Sequence, residues 1–329
     1  MRALVTGATG FVGGHLVERL LGEGMSVTCL VRETSDTSVL AGLGVELRTA
    51  ALDDADSLRE AVGGFDYVFH SAGLTRARKR APYFAVNAGG TARLADAVLA
   101  AGEPPRRFVY VSSLAAAGPA PSAAPLTEED EPRPRDHYGA SKLAGERETL
   151  ARADRMPVTI VRPPAVYGPR DTNFLPLFRT ALKLGRVPVV GRPTKQVAFV
   201  YVTDLAEGIL RAAQREEAAG RTYFIGSGVH TMTEVAEAVC GALEMPTKRL
   251  RLPTLAARIA GEVGQLKWAL TGKPQIVSRR KVRDMLQPYW TCSWARAREE
   301  LGYQQAVTLK EGMKRTARWY FDNRWLRKR

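Results

Sequence analysis

Over the first 165 residues, short hydrophobic runs alternate with longer stretches in which apolar side chains recur three and four positions apart. The runs Ala3–Thr6, Val27–Val31, Val45–Thr49, Tyr67–His70, Phe108–Ser112 and Val158–Arg162 read as strands. Phe11–Glu23, Ala55–Val62, Tyr83–Ala101 and Tyr138–Ala153 read as the helices between them. Strands joined by helices of this length pair in parallel, because each connection must cross the sheet, and the helices then cover both faces. The pattern predicts a doubly wound α/β sheet. After Arg162 the rhythm changes to a helix near Leu175–Leu184, a strand at Ala198–Val202, a helix at Asp204–Gln214 and a strand at Thr222–Ile225, and the remainder reads mainly as helix. This predicts a larger domain from 1–165 plus about 197–225 and a smaller, mostly helical one from about 166–196 plus 226–329. Gly118–Arg135, rich in Pro and acidic residues, reads as a mobile loop with Glu128–Glu131 in solvent.

Composition narrows the class. A chain of 329 residues that is 45% hydrophobic and 25% charged can bury the core of one or two domains. No apolar run approaches the roughly eighteen residues of a membrane span, and the first residues lack the apolar centre of a secretion signal, so a soluble, cytoplasmic protein is expected. Cys29, Cys240 and Cys292 are too far apart for a paired-cysteine or zinc pattern, which speaks against a disulfide scaffold and a metal. The net charge of +14 is not evenly spread: the first 245 residues carry equal numbers of cations and anions, so the whole excess follows them. The chain ends in Arg318-Trp319-Tyr320-Phe321-Asp322-Asn323-Arg324-Trp325-Leu326-Arg327-Lys328-Arg329. Aromatics among cations suit either a solvated helix end or a weak contact with an anionic membrane surface. No nucleic-acid-binding motif accompanies the charge.

The chemistry begins at Thr6-Gly7-Ala8-Thr9-Gly10-Phe11-Val12-Gly13, which follows a strand and opens a helix. In that context Gly7 permits a tight turn, Gly10 lets the backbone approach a pyrophosphate at the helix N-terminus, and Gly13 lets helix and strand pack closely. A Rossmann-type dinucleotide site is the reading. At the end of the second strand Arg32 stands where an acid ordinarily receives the adenosine ribose. Either it meets a 2′-phosphate, with Ser35 as a second contact and NADP(H) preferred over NAD(H), or it is a solvated cation beside Glu33. Asp53, after the third strand, either holds the adenine amino group or caps the next helix. Tyr138 and Lys142 lie four apart on a predicted helix, so both side chains emerge on one face. A free tyrosine titrates near pH ~10, and proton transfer near neutrality requires on the order of 4 kcal/mol of preferential phenolate stabilisation, part of which an ammonium supplies. His70 and His137 are not assigned catalytic roles: the first stands at a strand end inside a wall motif and the second in an exposed loop.

Five motifs in order and spacing, TGATGFVG, His70-Ser71-Ala72-Gly73, Asn87-Ala88-Gly89-Gly90-Thr91, Ser112-Ser113 and YGASK, followed by Arg162-Pro163-Pro164-Ala165-Val166-Tyr167-Gly168-Pro169, resemble the extended short-chain dehydrogenase/reductase family. The resemblance runs to about residue 226 and more loosely beyond. It implies that Ser113 hydrogen-bonds the substrate oxygen, that Tyr138 is the general acid/base, and that Lys142 binds the nicotinamide ribose and lowers the Tyr138 pKa. Thr9, Phe11, Val12, Ala72, Gly73, Asn87, Pro163 and Val166 would line the cofactor. It also implies a small-molecule substrate, and a homodimer through the helices at 83–101 and 138–153. Within the family, Leu114-Ala115 replace the Asp-Glu pair of sugar dehydratases. Val197 and Ala198 replace the arginine with which epimerases clasp a sugar diphosphate, although Lys195 or Arg192 is available and Asn173-Phe174-Leu175-Pro176 matches an epimerase Asn-x-x-Pro feature, making Asn173 a substrate-binding candidate. After Leu252-Pro253 a helix carries Leu255, Ile259, Val263, Leu266 and Leu270 on one stripe. Its counterpart in the hydroxysteroid-dehydrogenase-like and dihydroflavonol-reductase-like branches covers the substrate cleft; otherwise the stripe simply packs on the core. The expectation is a reductase of a hydrophobic ketone or oxidant of the matching secondary alcohol, with a nucleotide-sugar epimerase holding tightly bound NAD as one alternative and a cofactor-binding protein without turnover as another.

Overall fold

The computed structural model describes residues 1–190, 194–271 and 279–327. Strands β1 (Arg2–Thr6), β2 (Ser26–Val31), β3 (Glu46–Thr49), β4 (Tyr67–His70), β5 (Arg107–Val111), β6 (Val158–Arg162) and β10 (Arg221–Phe224) form one sheet in the order β3-β2-β1-β4-β5-β6-β10. Every pairing in it is parallel. Side chains alternate across the pleat. Ala3 and Val5 face helices α1 (Phe11–Gly22) and α8 (Val202–Gln214), while Leu4 faces α2 (Ala55–Ala61) and α4 (Thr91–Ala100), so each face has its own core. Burial on both sides explains why β4, β5 and β6 are closed to solvent throughout. The strand order reverses between β1 and β4, and the carboxyl ends there open a crevice, the usual ligand position in such sheets.

A second sheet joins β9 (Gln196–Tyr201) to β7 (Ala165–Tyr167), β11 (Gly228–Thr231) and β13 (Tyr289–Trp290), and a two-stranded piece pairs β8 (Val187–Val190) with β12 (Arg249–Leu252). Helices α7 (Leu175–Leu184), α9 (Met232–Ala242) and α13 (Leu309–Asp322) share a core with β8 and β9 through Phe178, Val187, Phe199, Val239, Met313 and Tyr320.

Several expectations need correction. The segment after 226 is mainly helical among the described residues, as expected, but it also supplies β11, β12 and β13, strands of two to four residues too short to show a period. The strand expected at Ala198–Val202, within the stretch assigned to the larger domain, lies in the second sheet rather than in the parallel one. The helix expected over Tyr83–Ala101 is α3 (Arg80–Phe84), a π-helical turn at Ala85–Gly90, and α4. The Gly118–Arg135 loop is fastened down: Ala120 N donates to Tyr289 O and Leu126 pairs with Cys292. Glu128 is drawn in from the acidic run to accept from Phe224 N at 2.8 Å. The aromatic tail belongs to the core, since Tyr320 is fully buried, its hydroxyl donates to Asp171 O at 2.5 Å, and Trp325 stacks on it. Lastly, the stripe from Leu255 to Leu270 does not pack on the core; all five side chains face solvent.

Candidate active site

At the end of β1 the chain turns through Gly7, whose φ of +71° lies in the region an L side chain rarely adopts. Gly10 N donates to Gly7 O at 2.9 Å, and α1 begins at Phe11 with no side chain capping its first turn. Those backbone N–H groups are therefore available to an anion. A Cβ on Gly13 would lie 2.1 Å from Gly7 O, so the helix can approach the turn this closely only with glycine there. Thr9, Phe11 and Val12 are half-buried around the turn and Gly10 is exposed, a shape that suits the pyrophosphate of a dinucleotide.

Parallel registry brings the next candidates to the same edge: Thr6 is level with Leu30 and His70, His70 with Tyr110, and Val111 with Val161. Arg32 follows β2, exposed and without an ion pair among the described residues. Ser35 is already engaged, since its Oγ accepts from Arg32 N at 3.1 Å and its N–H donates back to Arg32 O, a turn that holds the arginine outward. The capping alternative for Asp53 is removed, because Asp54 caps α2 by accepting from Asp56 N and Ser57 N, which leaves Asp53 exposed.

The wall after β4 is a hydrogen-bonded relay. His70 is fully buried between Thr6 Oγ1 at 2.7 Å and Thr91 Oγ1 at 3.0 Å. Thr91 donates to Asn87 O and Thr6 Oγ1 accepts from Ala72 N, a pattern that assigns the proton to His70 Nε2. Burial, with Lys142 adding to it, pushes His70 down to about 3, so it is neutral and structural. The Asn87 amide clamps Leu74, accepting from its N–H at 2.7 Å and donating to its carbonyl at 3.0 Å, and also donates to Ser141 Oγ. Asn87 thus braces the wall on which Ala72 and Gly73 sit. On the far side, Pro163 O accepts from Leu114 N and Val166 lies in β7 opposite Val200.

β5 ends in two serines with different surroundings. Ser112 is buried and donates to Glu146 Oε1 at 2.5 Å. Ser113 is half-buried and caps the short helix α5 (Leu114–Ala117), its Oγ accepting from Ala115 N at 3.1 Å, which leaves its hydroxyl proton to donate elsewhere. Helix α6 (His137–Leu150), capped by Asp136, lies directly on that turn: a Cβ on Gly139 would be 2.1 Å from Ala115 O. The close approach brings Tyr138, half-buried with its ring 6.3 Å from that of Tyr83, beside the Ser113 turn. One helical turn on, buried Lys142 donates to Val111 O at 2.7 Å and lies 4.1 Å over the Tyr110 ring. A Cβ on Gly73 would be 3.6 Å from its Nζ, so the ammonium stands at the crevice wall. His137 is exposed.

Burial pushes Lys142 down to about 7, opposed by the Glu146 carboxylate. Because the folded value lies below the ordinary 10.5, the cost of burying the charge is fully present below about 7 and is relieved as pH rises toward 10.5. Lys142→Met removes that pH dependence, and a pair of melting curves taken on the unliganded protein across this window checks it. The same variant is expected to lose about 100-fold or more in turnover.

Beneath these residues lies a buried ion pair that sequence reading missed. Arg162 grips Glu146 through two hydrogen bonds of 2.9 and 2.6 Å. The signals were present, since Glu146 follows Lys142 by four on the same face of α6 and Arg162 ends a strand with no other charged residue. On the opposite rim, Asn173 Oδ1 accepts from Arg76 at 2.6 Å. Ala198 is fully buried, and Lys195 donates to the carbonyls of Asp284 and Met285, so neither offers a cation to a diphosphate. Arg192 lies outside the described residues.

Residues 3–226 match the sequence model of the NAD dependent epimerase/dehydratase family. The chain is similar to a ceramide reductase of Caulobacter vibrioides, 33% identical over 98% of this chain and 96% of that protein. It is also similar to a 4-hydroxy-2-methyl-3-oxo-4-farnesyl-3,4-dihydroquinoline-1-oxide ketoreductase of Stigmatella aurantiaca, 31% identical over 95% of each. Among solved structures, that of gox2253 superimposes with a TM-score of 0.82 at 27% identity over 98% of both chains.

Proposed function

Because the chain belongs to the NAD dependent epimerase/dehydratase family, we propose that it is an NADP(H)-dependent oxidoreductase that reduces a ketone of a hydrophobic small molecule, or oxidises the corresponding secondary alcohol. The observation that carries this reading is the set of three side chains at one crevice: accessible Ser113, Tyr138 packed beside it through Gly139, and Lys142 one turn away at the Gly73 wall. Ser113 Oγ–H donates to the substrate oxygen, and the Tyr138 hydroxyl gives its proton to that oxygen as negative charge develops, or recovers it in the reverse direction. Lys142, held by Val111 O, supplies the positive field that eases loss of the tyrosine proton. The dinucleotide, when bound, supplies or accepts the hydride. The Gly7–Gly13 turn and the open first turn of α1 would hold its pyrophosphate, and Ala72, Gly73, Pro163 and Val166 its nicotinamide half.

Preference for NADP(H) is proposed from Arg32, an exposed cation with no ion pair among the described residues, with Asp53 toward the adenine. Arg32→Asp is expected to weaken NADP⁺ binding roughly 10- to 100-fold and to strengthen NAD⁺ binding, because it removes a charge-assisted hydrogen bond and offers an acceptor to a free ribose. Fluorescence titration with both cofactors checks it, and tighter binding of NAD⁺ by the unaltered protein would reverse the assignment.

Two lines support a hydrophobic substrate. Two of its relatives are a ceramide reductase and a ketoreductase named for a farnesylated quinoline oxide, and Ala198 stands where an epimerase carries its diphosphate cation. One observation favours the epimerase as a second reading: Arg76 and Asn173 are joined across the rim and could receive a sugar diphosphate. Incubation with cyclic, aromatic and long-chain ketones and with UDP- and dTDP-sugars separates the two, since ketones should consume NADPH and the sugars should remain unchanged.

A further inference from the structure

Helix α10 (Thr254–Thr271) carries Leu255, Ile259, Val263, Leu266 and Leu270 at helical spacing, and all are more than half exposed, from 56% at Ile259 to 78% at Leu270. The opposite side of the helix is its packing side. There Ala257 and Gly261 are buried, and a Cβ on Gly261 would be 3.0 Å from Val282 of α11 (Arg279–Met285). The inner helix is fastened to the body, because Lys195 donates to the carbonyls of Asp284 and Met285 and Trp290 Nε1 donates to that of Asp284. The apolar stripe is therefore the outer face of an anchored hairpin. A contiguous apolar face of this kind marks an interaction surface.

Charge indicates what covers it. Residues 254–285 contain seven Lys and Arg against two acids, and Arg258, Lys267, Arg279 and Arg283 among them are exposed. A second copy meeting the stripe through the same face would bring two cationic hairpins together. A negatively charged surface with an apolar layer beneath it satisfies both features of the hairpin at once. The hairpin also reaches the active site. Arg78 Nη2 donates to Ala269 O at 3.3 Å, which ties the last turn of α10 to the loop leaving the Gly73 wall, and that loop is held by Tyr83, whose hydroxyl accepts from Ala77 N at 2.9 Å and whose ring lies beside Tyr138.

We propose that the α10 stripe docks on the surface of an anionic lipid bilayer, with the mouth of the crevice beside the membrane. The docking rests on the stripe and its charge; its purpose, direct access to a lipophilic ketone, rests on the function proposed above. It replaces the contact expected at the C-terminal tail, whose aromatics are used in the core.

Flotation of the full chain with vesicles of equimolar phosphatidylcholine and phosphatidylglycerol tests it. The protein should float with these vesicles at low salt, more weakly at physiological salt, and at least about tenfold less with phosphatidylcholine alone. The triple variant Ile259→Glu, Val263→Glu, Leu266→Glu should lose flotation by roughly tenfold or more while turning over a water-soluble cyclic ketone as before. Val263→Gln with Leu266→Gln serves if three carboxylates impair folding, and should lower flotation in the same direction. Arg324→Gln with Arg327→Gln, in the tail, should float like the unaltered chain. Failure of the unaltered protein to float, equal flotation of the stripe variants, or a stripe-dependent dimer in sedimentation velocity would overturn the proposal. Absence of ketone turnover alongside intact flotation would count against the proposed function and leave the docking in place.

Discussion

Tyr138→Phe is expected to lower kcat by about 10²- to 10⁴-fold while leaving the NADPH dissociation constant within about a factor of two. The two effects separate because they depend on different parts of the sheet edge. The proposed pyrophosphate cradle is the turn after β1, and Arg32, the proposed 2′-phosphate contact, follows β2, whereas Tyr138 is on α6 beside the end of β5. Phenylalanine keeps the ring and its contact with Tyr83 and removes only the proton donor. Steady-state kinetics with a fluorescence titration measures both quantities. A variant retaining most of its turnover would remove Tyr138 from the reaction.

Glu146→Gln is expected to cost about 3–5 kcal/mol of stability, because it leaves Arg162 as a buried cation without its counter-ion. Both side chains are nearly inaccessible, at 2% and 6% of their surface, and the carboxylate also receives the Ser112 hydroxyl. Water therefore cannot readily replace the lost partner. Removing both members, as in Glu146→Leu with Arg162→Met, should recover much of the loss, since two neutral side chains of similar volume leave no buried charge. Urea denaturation of the unaltered protein and the two variants measures the differences. The expected ordering is the unaltered protein, then the double variant, then Glu146→Gln. A near-neutral Glu146→Gln would mean that Arg162 finds another anion or reaches solvent.

What could be read in the sequence was local. The glycines of the first turn are dictated by backbone distances within a few residues, and Tyr138 and Lys142 by one turn of helix, so both appear as fixed spacings. The alternation of strands and helices was legible for the same reason, and the seven-stranded sheet follows from it. Choices that depend on what a side chain meets across the fold were not legible. Ser112 and Ser113 are adjacent and chemically identical, so the resemblance alone pointed to Ser113, and the position of Glu146 supplies the physical reason that one is an internal donor and the other accessible. Asp53 and Asp54 are adjacent, and only the structure shows that Asp54 is the one that caps α2. A helical stripe predicts an apolar face without saying what covers it, which is why Leu255–Leu270 could be read as core or cleft wall and is in fact exposed. The tail misled for a different reason. Its composition drew the eye to aromatics among cations, while the spacing of Leu309, Met313, Ala317 and Tyr320 already described a buried helix face.

The central claim is that Ser113, Tyr138 and Lys142 reduce the carbonyl of a hydrophobic molecule at the expense of a nicotinamide dinucleotide. Isotope tracing tests it most directly: NADPH carrying deuterium at the transferable position of the nicotinamide is incubated with the full-length protein and a panel of long-chain and polycyclic ketones, with UDP- and dTDP-sugars in parallel. The account predicts stoichiometric loss of NADPH and deuterium on the carbinol carbon of at least one ketone, with no label transfer in Tyr138→Phe and no change in the sugars. Inversion of a sugar nucleotide without net consumption of NADPH, while every ketone stays unlabelled, would contradict it.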